Sequence, residues 1–213
     1  ISQGQGQDLR KDVITVPLCD TFIHLAALTD VRYSLSHPQK VILDNCKMTL
    51  NALEYARYHK AHFIFTSSMG ASELQSPYSA SKMACEEFCT TYRQTFDVKV
   101  NVLRLSNVYG PHSIHKNSVI PKFIKQCIDR KNLEIFGDGM QTRDFVYVDD
   151  VIDTIINCKK FNPLNIASGK ATSILEIAEI IRHFSIKYLS HAPGISHLPA
   201  IKGEIKKVKL STD

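Results

Sequence analysis

The chain lacks any run of the roughly 20 apolar residues that a bilayer crossing requires, although 44% of its 213 residues are hydrophobic. Its six cysteines include no pair with the C-x-x-C spacing of zinc or redox motifs. Such cysteine usage is typical of reduced, mostly buried thiols, because disulfides are rare in the cytosol. These absences predict a cytoplasmic protein with one sizeable core and no membrane partner.

The sequence offers little support for a metal site. Cys85 and Cys89 share one face of a predicted helix, but a zinc ion needs two further ligands near them. His112 and His115 lie in a loop flanked by Pro and Gly, without a cysteine or acidic partner. We therefore expect no bound metal.

The charge pattern argues against nucleic acid as a partner. The net charge of +5 is modest, and its most lysine-rich part is the segment IKGEIKKVK, residues 201–209. No basic stripe interleaved with aromatic residues accompanies this segment. We interpret it as a solvated surface and expect no nucleic-acid partner.

Short apolar runs alternate with longer helical patterns, which predicts βα units and a parallel sheet. Strands are expected over residues 21–27, 61–68 and 98–108, a helix over 38–60, and a second helix that carries Tyr78. The order β-α-β-α-β indicates an α/β, doubly wound, Rossmann-like sheet with crossover helices of suitable length. The first βα unit of such a fold has no counterpart in the sequence.

Beyond residue 109 the pattern changes to loops, short strands and helices, which indicates a smaller C-terminal lobe. There, Ser173 and Glu176 have the spacing of a capping box at the start of an amphipathic helix. We assign 1–108 with 143–168 to the parallel-sheet domain, and 109–142 with 169–213 to the smaller lobe.

The segment SPYSASKMACEEF, residues 76–88, places Tyr78 and Lys82 one helical turn apart. Alone this spacing is weak evidence, because a tyrosine that packs and a lysine that stays in water produce the same pattern. Its setting strengthens it. Ser67 and Ser68 end a predicted buried strand, and the carboxyl ends of parallel strands are where open α/β sheets bind ligands.

Six motifs occur in the order seen in one large enzyme family: HLAALTDV, FTSS, YSASK, LRLSNVYGP, VIPKFI and GDGMQTRDFVYVDDV. The set resembles the extended short-chain dehydrogenase/reductases, and more narrowly the NAD-dependent nucleotide-sugar epimerases and dehydratases. The resemblance covers nearly the whole chain. It implies NAD as cofactor, a nucleotide-diphosphate sugar as substrate, and a homodimer formed through helices 38–60 and 77–96.

The resemblance gives Ser68, Tyr78 and Lys82 catalytic roles. Tyr78 is expected to take a proton from a sugar hydroxyl while hydride passes to NAD. A tyrosine near pKa 10 needs a depression of about 3 units to act as a base near neutral pH, and we expect the Lys82 ammonium to supply much of it. Ser68 is expected to hydrogen-bond the reacting oxygen.

The resemblance also implies binding roles at matching positions. The implied cofactor contacts, besides Tyr78 and Lys82, are Asp8, Leu9, His24, Leu25, Ala26, Ala27, Asn45 and Ser67. The implied substrate contacts, besides Ser68, are Asn107, Val119, Phe123 and Arg143. Arginine suits a diphosphate because its planar fork makes paired bonds to phosphate oxygens. A structural ion pair between Arg143 and Asp144 or Asp149 is the alternative for that residue.

The reaction type follows from what surrounds Ser68. In 4,6-dehydratases and several decarboxylases of this family an acidic residue closely follows the catalytic hydroxyl. Here Met69 and Gly70 follow, and the next carboxylate is Glu73. We therefore predict a 4-epimerase that acts through a transient 4-keto sugar, with a 4,6-dehydratase or decarboxylase as the nearest alternative.

Several features depart from the family pattern. The segment GQGQDL offers Gly4 and Gly6, but Leu9 holds the third position of the glycine-rich loop and no strand precedes it. Only nine residues separate Ser68 from Tyr78, Met48 stands where glycine is usual, and Ile201 replaces a frequent arginine. Two explanations remain open: the polypeptide is longer than this sequence, or the chain is a truncated nucleotide-sugar-binding relic without catalysis.

Overall fold

The computed structural model describes residues 8–11, 16–158 and 163–200. Three features of the sequence lie outside these ranges: the pair Gly4 and Gly6, Ile201, and the lysine-rich segment 201–209.

The described strands are β1 (Thr21–His24), β2 (His62–Ser68), β3 (Val100–Leu105), β4 (Asn107–Tyr109), β5 (Leu133–Phe136), β6 (Thr142–Tyr147), β7 (Leu164–Ile166), β8 (Ala171–Ser173) and β9 (Ile195–Leu198). The α-helices are α1 (Val31–Ser36), α2 (Pro38–His59), α3 (Pro77–Phe96), α4 (Val119–Ile128), α5 (Val148–Asn157) and α6 (Ile174–Leu189).

The chain divides into two compact units. Unit 1 contains the described residues up to Leu105 together with those in the range 154–166. Unit 2 contains Ser106–Asp153 and the described residues from Ala167 onward.

Unit 1 is built on a four-stranded sheet in the order β1-β2-β3-β7, in which every neighbouring pair is parallel. The strand order advances in one direction, and right-handed crossovers then place α2 and α3 on the same face of the sheet. Residues 63–67 of β2 are all buried, as expected for a central strand of a parallel sheet. The predicted α/β fold with a parallel, Rossmann-like sheet is confirmed.

The core of unit 1 lies between this sheet and its two crossover helices. Leu53 of α2 and Cys85 of α3 are almost completely buried against Phe63 and Phe65 of β2. The aromatic rings and the helix side chains form one apolar cluster, so the helices are held by side-chain packing rather than by helix propensity.

Unit 2 contains a three-stranded sheet in the order β4-β6-β8 and a separate parallel pair, β5-β9. Its core surrounds Phe123 and Cys127 of α4, Leu133 of β5 and Ala178 of α6. The predicted capping box is present at the start of α6: the Ser173 hydroxyl accepts a hydrogen bond from the Glu176 amide at 3.1 Å, and the Glu176 carboxylate accepts one from the Ser173 amide at 2.7 Å.

The unit boundary differs from the predicted one in two main places, and also at residues 167–168, which are predicted to lie with the parallel sheet and belong to unit 2. The predicted strand 98–108 is broken at Ser106, so β3 belongs to the sheet of unit 1 and β4 to that of unit 2. Residues 143–153, predicted to lie with the parallel sheet, belong to unit 2, because β6 pairs with β4 and β8. Strand pairing, which local sequence pattern does not specify, sets both boundaries.

None of the helices in the described part of the chain combines the length and the apolar character needed to cross a membrane.

Candidate active site

The first turn of α3 carries Tyr78, and local sequence defines where that turn begins. Ser76 is the N-cap, its hydroxyl accepts a hydrogen bond from the Ser79 amide at 3.1 Å, and Pro77 occupies the first helical turn. Proline suits this position because its fixed φ matches the helix and its missing N–H has no partner there anyway. Tyr78 and Lys82 therefore lie on successive turns at the start of α3.

The Tyr78 phenol lies beside the Ser68 hydroxyl at the carboxyl end of β2. Burial raises the pKa of Tyr78 to about 12, and the neighbouring Ser68 hydroxyl acts in the opposite direction. The sequence led us to expect a lowered pKa produced by Lys82. That expectation is wrong for the protein alone, because desolvation of the phenolate outweighs any attraction from the ammonium.

Lys82 is a buried amine. Only 4% of the residue is exposed; its Nζ donates to the Thr66 carbonyl at 2.8 Å and lies 4.7 Å from the centre of the Phe65 ring. Desolvation lowers the pKa of Lys82 to about 8, opposed by the nearby Cys85, Cys89 and Glu86. The lysine is therefore a constrained group next to the end of β2, not a solvated surface cation.

Ser67, expected to contact the cofactor, uses its hydroxyl within the protein. The hydroxyl donates to Glu86 at 2.5 Å, and Glu86 also accepts hydrogen bonds from Arg104. Sequence reasoning missed both charged residues. For Glu86 the sequence did contain a signal: it lies one helical turn beyond Lys82 and two turns beyond Tyr78, on the same face of α3. A contact of Ser67 with the cofactor stays a prediction.

His24, at the end of β1, is a packed neutral residue. It is 2% exposed and lies between the rings of Phe63 and Phe65, each 5.9 Å away between ring centroids. Its Nε2 is 3.2 Å from the Thr49 hydroxyl, and burial lowers its pKa to about 3. The imidazole therefore serves the core, and a cofactor contact of His24 stays a prediction.

The loop after β1 is open to solvent. Leu25 is 62% exposed, Ala26 is exposed and Ala27 is half-buried. The Asn45 amide anchors the following residue by accepting from the Leu28 N–H at 2.8 Å and donating to the Leu28 carbonyl at 3.2 Å.

Asn45 also donates to Ser81 of α3 at 2.9 Å, so its side chain connects the loop after β1 with the helix that carries Tyr78. Both amide hydrogens and one oxygen lone pair are used in these bonds. The residue expected to touch the cofactor thus holds two elements together, and a direct contact with the cofactor stays a prediction.

Asp8 and Leu9, expected near the adenine, belong to a short segment held against α2. The Leu9 carbonyl accepts a hydrogen bond from Asn51 at 2.9 Å. Asp8 pairs with Arg10 at 2.8 Å, and this hydrogen bond lowers the pKa of Asp8 to about 2. A contact of Asp8 or Leu9 with the cofactor stays a prediction.

The predicted substrate residues other than Ser68 lie in unit 2. Asn107 donates to the Asp144 carbonyl at 3.0 Å, and the Arg143 guanidinium donates to the Thr142 carbonyl at 2.8 Å. Val119 is half-buried and packs against the core of this unit. Phe123 is only 1% exposed and is a central member of that core, so packing explains it, while its contact with a substrate stays a prediction.

The Asp144 carboxylate, one of the alternative partners considered for Arg143, has other partners. It accepts hydrogen bonds from the Ser106 hydroxyl at 2.8 Å, from the Ser168 amide at 2.8 Å and from the Ser168 hydroxyl at 3.1 Å. Asp144 is 1% exposed and holds the start of β4 and the loop after β7 within unit 2.

A model of the NAD dependent epimerase/dehydratase family matches residues 6–161. The chain is 35% identical to a putative UDP-glucose 4-epimerase of Methanocaldococcus jannaschii over 184 residues, which are 77% of this chain and 60% of that protein. It is 35% identical over 178 residues to a UDP-glucuronate 4-epimerase of Thermodesulfobacterium geofontis, covering 75% of this chain and 55% of that protein. The chain thus spans little more than half the length of these relatives.

The fold is similar to a crystal structure of UDP-glucose 4-epimerase from Thermotoga maritima with UDP-glucose. The TM-score is 0.88 at 25% identity, over 96% of this chain and 74% of that one.

We expect the substitution Lys82→Met to stabilise the fold at neutral pH. Below about pH 8 the folded and unfolded chains both hold the Lys82 proton, so the cost of burying the charge is fully present. Between pH 8 and 10.5 the unfolded chain binds more protons, and this cost disappears as the pH rises. The difference between the two pKa values corresponds to a gain in the free energy of unfolding of roughly 3 kcal/mol for Lys82→Met at neutral pH. Loss of the hydrogen bond to Thr66 reduces this gain.

Urea unfolding of both proteins at pH 7 and pH 10 checks this expectation. The stability gain of Lys82→Met should be largest at pH 7 and smaller at pH 10. Lys99→Met, at an exposed lysine of the same unit, serves as the control and should show neither effect. A variant that is less stable at both pH values by the same amount would show that burial of the charged amine costs the fold nothing.

Proposed function

The chain belongs to the NAD dependent epimerase/dehydratase family, and on that premise we propose that it serves the 4-epimerisation of a nucleotide-diphosphate sugar. The cofactor of this family is NAD. The observation that carries the proposal is that Ser68 and Tyr78 lie side by side at the carboxyl end of β2, while the buried amine of Lys82 donates a hydrogen bond to Thr66, two residues earlier on the same strand.

The residues of unit 1 fit the nicotinamide part of the cofactor. The exposed loop of Leu25, Ala26 and Ala27 follows β1 at the ligand-binding edge of the parallel sheet, and its small alanine side chains leave the backbone accessible. Tyr78 and Lys82 lie on α3, the helix that follows the neighbouring strand β2. When bound, NAD supplies the acceptor and donor of the hydride that epimerisation needs.

Tyr78 and Ser68 are the proposed proton-transfer pair. Ser68 holds the phenol oxygen, and the phenol exchanges its proton with the hydroxyl of the sugar carbon that is oxidised. Because burial keeps the pKa of Tyr78 near 12, the phenol retains its proton until positive charge approaches it. Lys82 is the cation that this chain supplies, and we propose that it orients the cofactor ribose as well.

The sugar nucleotide is proposed to engage residues of unit 2. The relatives act on UDP-sugars by their names, so a UDP-hexose is the first substrate class to test. We assign Arg143 and Asn107 to the diphosphate, because both offer N–H donors of the kind that phosphate oxygens accept. Val119 is assigned to the nucleotide side, with Phe123 as the core residue behind it.

The family includes dehydratases, and the end of β2 favours the epimerase. Ser68 caps a short 3-10 helix, Met69–Glu73, by accepting a hydrogen bond from the Gly70 amide at 3.3 Å. The positions directly after the catalytic hydroxyl therefore carry a thioether and a glycine, neither of which transfers protons. Epimerisation needs only hydride removal, rotation of the keto sugar and hydride return, so it requires no second acid.

We further propose a cytoplasmic homodimer formed through α2 and α3. Both helices keep apolar side chains in solvent, namely Leu43 at 58%, Tyr58 at 80% and Phe96 at 48%. Sedimentation of the purified chain should give twice its mass of 24.0 kDa, and a single-chain mass at micromolar concentration would contradict the dimer.

We expect Tyr78→Phe to lower turnover of UDP-glucose or UDP-glucuronate by about 10²–10⁴-fold, because it removes the proton carrier. NAD released on denaturation should remain detectable in this variant. Tyr188→Phe, at a 68% exposed tyrosine of α6, is the control and should be unchanged. Turnover largely retained in Tyr78→Phe would remove the phenol from the mechanism, and a wild-type chain that releases no NAD would favour the non-catalytic relic.

The product should have the same mass as the substrate. Epimerisation inverts one carbon without loss of atoms, whereas dehydration removes one water. Chromatography coupled to mass spectrometry distinguishes an isomeric product from a dehydrated one. A product lighter by one water would establish the dehydratase and overturn the argument from Met69 and Gly70.

A further inference from the structure

The last three residues of β2 each lie next to a residue on one face of α3. The Thr66 carbonyl accepts a hydrogen bond from Lys82, the Ser67 hydroxyl donates one to Glu86, and the Ser68 hydroxyl lies beside the Tyr78 phenol. The outer pairs involve the proposed reacting groups. The middle pair has no role in the proposed chemistry, so its function needs a separate explanation.

Glu86 is the centre of a buried polar cluster. It is 3% exposed, and its carboxylate accepts from Ser67 at 2.5 Å and from the Nε and Nη2 atoms of Arg104 at 3.0 and 2.5 Å. Arg104 lies on β3 directly opposite Ser67 in the strand register. One carboxylate thus joins α3 to the carboxyl ends of two strands.

Glu86 cannot be an acid or base for the substrate. Both of its oxygens already accept hydrogen bonds from protein donors, and the residue has almost no exposed surface. Any effect of Glu86 on the reaction must therefore act through the positions of other residues.

Stability alone does not explain this arrangement. Burial removes most of the hydration of the Glu86 carboxylate, while the Arg104 side chain stays 25% exposed. Well-packed apolar residues are often as stabilising as a desolvated ion pair, or more so. Directional hydrogen bonds fix one register of α3 against β2 and β3, which apolar packing does not do. This register determines whether the hydroxyl of Ser68, the residue after Ser67, lies next to the Tyr78 phenol.

We propose that Glu86 is a positioning residue, which holds the end of β2 against α3 through Ser67 and Arg104 so that Ser68 and Tyr78 remain paired beside Lys82. The inference rests on the proposed function in one respect: Ser68 and Tyr78 are taken as the reacting pair. Its structural part, the fixed register, is independent of the reaction.

The double variant Glu86→Met/Arg104→Met tests the proposal, because it replaces the ion pair with apolar side chains of similar length and leaves Ser67 intact. We expect cooperative unfolding, faster amide hydrogen exchange in residues 66–68 and 78–82, and a fall in kcat of about 10²-fold, typical of misplaced reacting groups, with an unchanged KM. The control is Glu179→Met/Arg182→Met, which removes the 3.4 Å ion pair of α6 and should change neither exchange nor kcat.

A folded double variant with normal exchange in residues 66–68 and 78–82 would overturn the proposal, as would one with normal kcat. If the double variant does not fold, Glu86→Gln replaces it, since the amide oxygen can still accept from Ser67 while the charge is lost. Faster exchange in the same segments supports the proposal, and unchanged exchange and kcat overturn it. A wild-type chain without turnover would count against the proposed function only, because the exchange measurement still decides the role of Glu86.

Discussion

The packing of α3 against the end of β2 holds the candidate active site together. The helix turns a phenol, an amine and a carboxylate toward the strand; the amine and the carboxylate are buried and the phenol is half-buried. A buried polar group must find a partner or give up its charge. Glu86 accepts hydrogen bonds from a guanidinium and a hydroxyl, Lys82 donates to a backbone carbonyl, and Tyr78 lies beside the Ser68 hydroxyl. The three contacts keep the helix and the strand end in one relative position.

The same burial sets the protonation of the proposed reacting groups. The pKa of Tyr78 rises to about 12 while that of Lys82 falls to about 8, so desolvation moves both residues toward their neutral forms. At neutral pH the phenol therefore keeps its proton, and positive charge near the phenol oxygen would lower the pKa of Tyr78.

Residues that the sequence pattern associates with ligands also make structural contacts within the protein. Asn45 joins the loop after β1 to α3, His24 fills a space between two phenylalanine rings, and Phe123 lies in the core of unit 2. Such residues shape a site by fixing the backbone around it, and their contacts with a ligand stay predictions.

Local sequence indicated α3 and the spacing of Tyr78 and Lys82 on it, because apolar periodicity and i,i+4 spacing act over a few residues. The bounds predicted for α3 agree with the structure, and Tyr78 and Lys82 lie on successive turns of it as predicted. Only the tertiary structure decided what these groups bond to. Arg104 lies on β3, 18 residues along the chain from Glu86 of α3, so no local pattern joins them. The direction of the Tyr78 pKa was decided in the same way, because desolvation depends on every element packed around the phenol.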